Sequence, residues 1–104
     1  MIDITTIENG TQLLIETKNA IYDVLVIDSS TGEVEISGGY KITKPTKAVL
    51  FGSSWGTKKY PKEIRKNMTV NFFYGEQKLT TAKVINVIIF EKNEGWYYDM
   101  GWNK

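Results

Sequence analysis

The side chains best equipped for chemistry in this sequence lie in one stretch, GSSWGTKKYPKEIRKN, at residues 52–67. Lys58, Lys59, Lys62, Arg65 and Lys66 supply positive charge there, and Ser53 and Ser54 supply hydroxyl donors. Trp55 and Tyr60, with Phe51 just ahead of the stretch, supply flat aromatic faces. Gly52 and Gly56 would let a ligand approach the backbone closely. Attracting a phosphate and stacking a base are separate tasks that need separate residue types, and both types are interleaved here. The chemistry expected is therefore non-covalent: capture of a nucleotide or of single-stranded nucleic acid. GSSWG is not a phosphate fingerprint, because it lacks the Walker spacing and the strand–loop–helix setting. Two plainer expectations stand beside this one. The lysines can be a solvated surface with Trp55 plugging the end of the fold, or they can be neutralised by acids on adjacent strands.

Other chemistries are thinly provided. The chain has 104 residues with neither His nor Cys. It therefore has no thiolate nucleophile, disulfide framework, Ser-His-Asp triad or His-bearing zinc site. Ser53 and Ser54 would need Lys58 or Lys59 as a base. Glu33 and Glu35 stand two residues apart on one strand face, with Asp23 nearby in order. That spacing is neither the opposed pair of a glycosidase nor an octahedral metal cage. Asp28-Ser-Ser-Thr-Gly-Glu33 lacks the acid spacing of an EF-hand and reads as a hairpin turn. The expectation is a protein that is not an enzyme and carries no metal and no cofactor.

The net charge of +1 hides a segregation. Residues 1–40 carry −6, residues 41–66 carry +7 and residues 67–104 carry 0. If the fold keeps the first two groups apart, one side of the molecule is electropositive.

The elements that must position these residues are strands. Ile, Val and Thr number 12, 7 and 11, against 5 Leu and 3 Ala. Stiff β-branched side chains suit a pleated sheet better than a helix. Alternation predicts strands at 12–18, with Leu13, Ile15 and Thr17 inward, and at 33–37, with Val34 and Ile36 inward. The apolar run at 21–27 predicts a strand covered on both faces. Further strands are expected at 47–51, 69–74, 78–81 and 84–91, with turns at Lys18-Asn19, Ser29–Gly32, Gly38-Gly39 and Gly75-Glu76. Residues 52–67 are expected to be a long loop, with a brief helical turn over 60–66 started by Pro61. The whole predicts one all-β domain over 1–104, a small β-barrel or β-sandwich of about six to seven mostly antiparallel strands. It divides into an N-terminal segment (1–11), a core (12–92) and an aromatic hairpin or tail (93–104).

Several short motifs resemble those of a family of small, uncharacterised bacterial all-β proteins. They are Gly10-Thr11, Thr17-Lys18-Asn19 with Tyr22, Gly38-Gly39, Pro45-Thr46-Lys47-Ala48 and Gly52-Ser53-Ser54-Trp55-Gly56, continued by Met68, Val70 and Phe72. The resemblance covers residues 10–87 and implies a compact β fold with no activity to carry over. The KKYPKEIRKN segment departs from the family pattern, which runs to Gly, Trp and Ile there.

At the C-terminal end Trp96, Tyr97, Tyr98 and Trp102 form an aromatic cluster. Such residues bury large area at low entropic cost, so they are the candidate partner-binding set. Either the segment folds back as a hairpin strand or it docks on another protein, a second copy of the chain included. The alternative to ligand capture is thus a structural or protein-interaction subunit that assembles through this tail and its sheet edges. The first ten residues show no basic-then-apolar leader pattern, and no apolar run approaches the roughly 20 residues of a membrane span. A cytoplasmic protein without a membrane partner is expected.

Overall fold

The computed structural model describes residues 1–90 together with the backbone of Tyr97–Asp99. The chain opens with β1 (Ile2–Asp3) and one 3₁₀ turn at Ile4–Thr6, whose Thr5 N–H donates to the Asp3 carboxylate. There follow β2 (Gln12–Thr17), β3 (Ile21–Asp28), β4 (Glu33–Gly38) and β5 (Ile42–Trp55). After these come β6 (Lys58–Pro61), β7 (Glu63–Ile64), β8 (Thr69–Tyr74), β9 (Gln77–Thr80), β10 (Val84–Phe90) and β11 (Tyr97–Asp99). No α-helix occurs among the described residues, and every strand pairing is antiparallel.

One sheet runs β11-β10-β2-β3-β4-β5-β8-β9, with β6 added alongside β5, and β1 pairs only with β7. The ladder does not run round into a closed barrel: β11 and β9 are its two ends. Two main-chain bonds nevertheless bring its halves together. Val84 donates to the Met68 carbonyl at 2.9 Å, and Asn67 donates to the Val84 carbonyl at 2.8 Å.

Alternation selects the core. Leu13, Ile15, Val24, Val26, Val34, Ile36, Leu50, Val70, Phe72, Val84 and Val87 are wholly buried in one cluster. Most of their neighbours along the strands are less buried, as a period of two requires, Asn71 between Val70 and Phe72 being a buried exception. Ile2 and Ile4 join the same cluster, pinned by the Ile2–Ile64 pairing. The N-terminal segment is therefore part of the core, not an appendage.

Four expectations are corrected. β3 is not covered on both faces: Ile21 is 58% and Ile27 39% exposed, while Tyr22, Val24 and Val26 are inward. β5 begins at Ile42, not 47, and contains Pro45. Pro45 is tolerated because the β4–β5 register shifts between Ile36 and Gly38, so its missing N–H falls in a bulge. Residues 60–66 form no helical turn, since Lys62 adopts a left-handed φ of 59° between β6 and β7. Finally, residues 52–67 are not a long loop. β5 runs on to Trp55, turns through Gly56-Thr57 and returns as β6, in the register Ser53–Tyr60, Ser54–Lys59 and Trp55–Lys58. Gly56 has φ 63° at the first turn position, the place where a two-residue turn with only one positive φ demands glycine.

This hairpin depends on Gly52, where β5 bulges and passes from β4 to its new neighbour β6. A Cβ at residue 52 would lie 2.2 Å from the Tyr60 carbonyl oxygen, and its φ of 142° is unfavourable for any other residue. At Gly56 a Cβ would meet nothing within 4 Å. Gly56→Ala should therefore cost only the roughly 1–2 kcal/mol of a left-handed residue. Gly52→Ala adds a backbone collision to its strain and should cost more, read as the larger fall in melting temperature.

Candidate functional site

The candidate residues divide according to what β5 and β6 do with them. Ser53 points into the core and is wholly buried, where its hydroxyl accepts the Arg65 N–H at 2.9 Å. Ser54 Oγ accepts from Asn71 Nδ2 at 2.9 Å and lies 3.2 Å from Thr69 Oγ1. Asn71 is itself buried and also donates to the Gly52 carbonyl at 3.3 Å. Thr80 donates to Asn71 Oδ1 at 2.9 Å. Both serines are thus committed to fastening the hairpin base to β7 and β8.

Phe51 lies on the outer face, away from the other two aromatics. It meets Phe73 edge-on, with ring centroids 5.7 Å apart, and Lys78 Nζ lies 5.9 Å from the Phe73 ring. Alternation instead puts Trp55 on the face of Ser53, and the register puts Lys58 and Tyr60 opposite those two residues. One face of the hairpin therefore carries Trp55, Lys58 and Tyr60 together. Lys59 pairs with Ser54 and belongs to the other face.

Each of the two rings carries a cation. Arg65 lies over Tyr60 with its guanidinium carbon 3.7 Å from the ring centroid, and Lys83 lies over Trp55 at 4.0 Å. Arg65 is also paired with Glu63, Nε to Oε1, at 2.8 Å. Among the described residues that is the one ion pair, so Lys58, Lys59, Lys66 and Lys83 have no carboxylate within 4 Å. Lys66 and Lys83 are brought near each other by the bond from Asn67 to Val84, which links their immediate neighbours in the chain.

Lys83 was not among the candidates suggested by sequence. It stands in a region of zero net charge, 28 residues from Trp55, and is placed by the Met68–Val84 and Lys18–Lys83 main-chain bonds. No local pattern announces a contact of that kind.

Other bases serve the acidic part of the chain. Lys62 donates from Nζ to the Ser30 carbonyl at 3.0 Å, its N–H donates to the Phe51 carbonyl, and its carbonyl accepts from Ile4. Its charge acts on both Asp3 and Asp28. Lys47 stands across from Glu35 on adjacent strands. Of the acids considered for catalysis, Asp23 is held by Gln12 Nε2 at 2.8 and 3.0 Å. Among the described residues no group of three or more His, Cys, Asp or Glu is arranged to hold a metal. Trp96 and Trp102 lie outside the described residues, as do the side chains of Tyr97 and Tyr98. The backbone of Tyr97 and Tyr98 pairs with Phe90 and Ile89.

The Lys62 junction has a consequence for pH. The Ser30 hydroxyl is the main cause holding Asp28 below the usual carboxylate range, aided by backbone N–H groups and by Lys62. Thr5 does the same for Asp3, first through its hydroxyl and then through its backbone N–H. Carboxylates depressed in the folded state stabilise it above their unfolded value and cease to do so as pH falls through the folded value. The melting temperature should drop on acidification below the ordinary carboxylate range. Asp28→Asn should flatten that acid limb, and Lys62→Ala should flatten it less.

Among the described residues no helix is long and apolar enough to cross a membrane. No protein-family model matches the chain, and no curated protein and no solved structure matches it either.

Proposed function

We propose that this chain is a non-enzymatic binding domain for a phosphate-bearing ligand, a nucleotide or single-stranded nucleic acid. The site is the Trp55–Tyr60 face of the β5–β6 hairpin, with Lys58, Arg65, Lys66 and Lys83 around it and Lys59 on its flank. One observation carries this: two aromatic rings on one hairpin face, each beside a cation, among lysines that have no carboxylate partner within the described residues. Exposed unpaired ammonium groups attract phosphate without first breaking an ion pair, and rings accept bases of any sequence. The scaffold is a β-barrel left partly open, in which the contacts of Val84 with residues 67 and 68 stand where a last ladder would be. Ser53, Ser54, Phe51 and Lys62 are left out of the site, because each is engaged elsewhere.

A second possibility, a structural or protein-interaction subunit, is favoured by the outward apolar patch of Val49, Phe51 and Phe73. Assembly by strand addition is discouraged at β9, which is four residues long and bears the exposed Lys78.

Salt dependence tests the binding proposal. Anisotropy of a labelled oligothymidylate should report binding that weakens steeply with salt. Each lysine that meets a phosphate should reduce the logarithmic slope by about 0.7 when replaced by Ala. Lys58→Glu with Lys59→Glu should abolish binding, whereas Lys62→Ala should leave it unchanged. Failure of every nucleotide and oligonucleotide to bind at low salt would overturn the proposal.

A further inference from the structure

Resting on that assignment, we infer that the site takes single-stranded nucleic acid of at least two nucleotides, not a mononucleotide and not a duplex. Trp55 and Tyr60 are diagonal neighbours across the hairpin: Trp55 pairs with Lys58, and Tyr60 lies two residues further along β6. Diagonal positions on one face of an antiparallel pair stand about 7–8 Å apart. Successive bases in a stacked strand rise only about 3.4 Å. Two neighbouring bases can therefore reach the two rings only if they leave their own stack and splay along an extended backbone. A single strand does this readily, whereas paired bases in a duplex cannot.

The cations repeat with the same period. Lys83 lies over Trp55 and Arg65 over Tyr60, so at each ring a cation that shifts from the ring face to a phosphate makes room there for the base of that nucleotide. The surface also has the wrong shape for a small ligand. Residues 55–59 are all exposed beyond the last β5–β8 pair, Ser54–Thr69, and an exposed hairpin tip does not enclose a nucleotide as a concave pocket would. One ring and one cation would hold a mononucleotide with half the available contacts.

The length of the ligand is the test. Mono-, di- and octathymidylate and a blunt DNA duplex are titrated against the full chain at one low salt concentration. The second base should tighten binding by about fivefold to a hundredfold, the value of one added stacking contact. Trp55→Ala and Tyr60→Ala should each bring the dinucleotide down to the affinity of the mononucleotide. Trp55→Phe, which keeps a ring and the hairpin packing, should retain most of the difference. Equal affinity for mono- and dinucleotide, or for duplex and single strand, would overturn this inference while leaving phosphate capture standing. Failure of all four to bind would overturn both.

Discussion

At Gly52 the backbone of β5 lies so close to β6 that a methyl group would overlap the Tyr60 carbonyl, and the β5–β6 hairpin closes because nothing is attached there. On one edge the strand is paired with β4 up to Val49 and with β6 from Gly52, while β8 holds the other edge from Val49 to Ser54. The exchange of partners happens through a bulge that turns Phe51 outward and returns Ser53 to the core. Bulges bend a strand and increase its twist, and at a sheet margin they re-aim the side chains beyond them. Here the residues beyond are Trp55 and, across the turn, Lys58 and Tyr60. The polar groups at the hairpin base are all satisfied internally, through Ser53, Ser54, Thr69 and Asn71. A buried hydroxyl or amide without a partner costs on the order of 1–3 kcal/mol, so this network holds the hairpin to one orientation.

The charge segregation along the chain survives folding only in part. Lys62 and Lys47 come to lie beside acids or their turns, which is the self-neutralised arrangement. Lys58, Lys59, Lys66 and Lys83 do not. What decides between the two groups is strand order. β4 and the 28–32 turn carry the acids and lie beside the first part of β5, whereas the hairpin extends past the end of β4. Among the described residues, lysines beyond that end have no acidic strand to face.

Much of this was legible in residue order wherever one face of a strand is wet. The alternation of Leu13, Ile15 and Thr17 and of Val34 and Ile36 marks inward positions because their neighbours are polar, and all five are buried. The pattern misleads where outward positions are apolar, as at Ile21 and Ile27, which read as a doubly covered strand although both face solvent. It vanishes in β6, where Lys58, Lys59 and Pro61 are exposed and no burial contrast exists to mark a strand. There the turn glycine is the only sign, and in sequence Gly56 reads equally as a place for a ligand to approach the backbone. Lys83 was invisible for another reason. Its contact with Trp55 follows from long-range main-chain bonding between the strands that lead to it, which local composition does not encode.

The two cation–ring pairs differ in a way that bears on how this face would bind a strand. Lys83 has no carboxylate partner among the described residues, and an exposed ammonium over a ring gains only about 0.5–1 kcal/mol. A phosphate can therefore draw it off Trp55 at little cost, freeing that face for a base. Arg65 is held twice, by stacking on Tyr60 and by Nε donation to Glu63. It leaves the ring at greater cost than Lys83 does, while its remaining guanidinium N–H donors stay available to a phosphate. The Tyr60 end is thus preorganised and the Trp55 end adaptable. A strand arriving at this hairpin would fix its register at Arg65 and settle its second base against Trp55 afterwards.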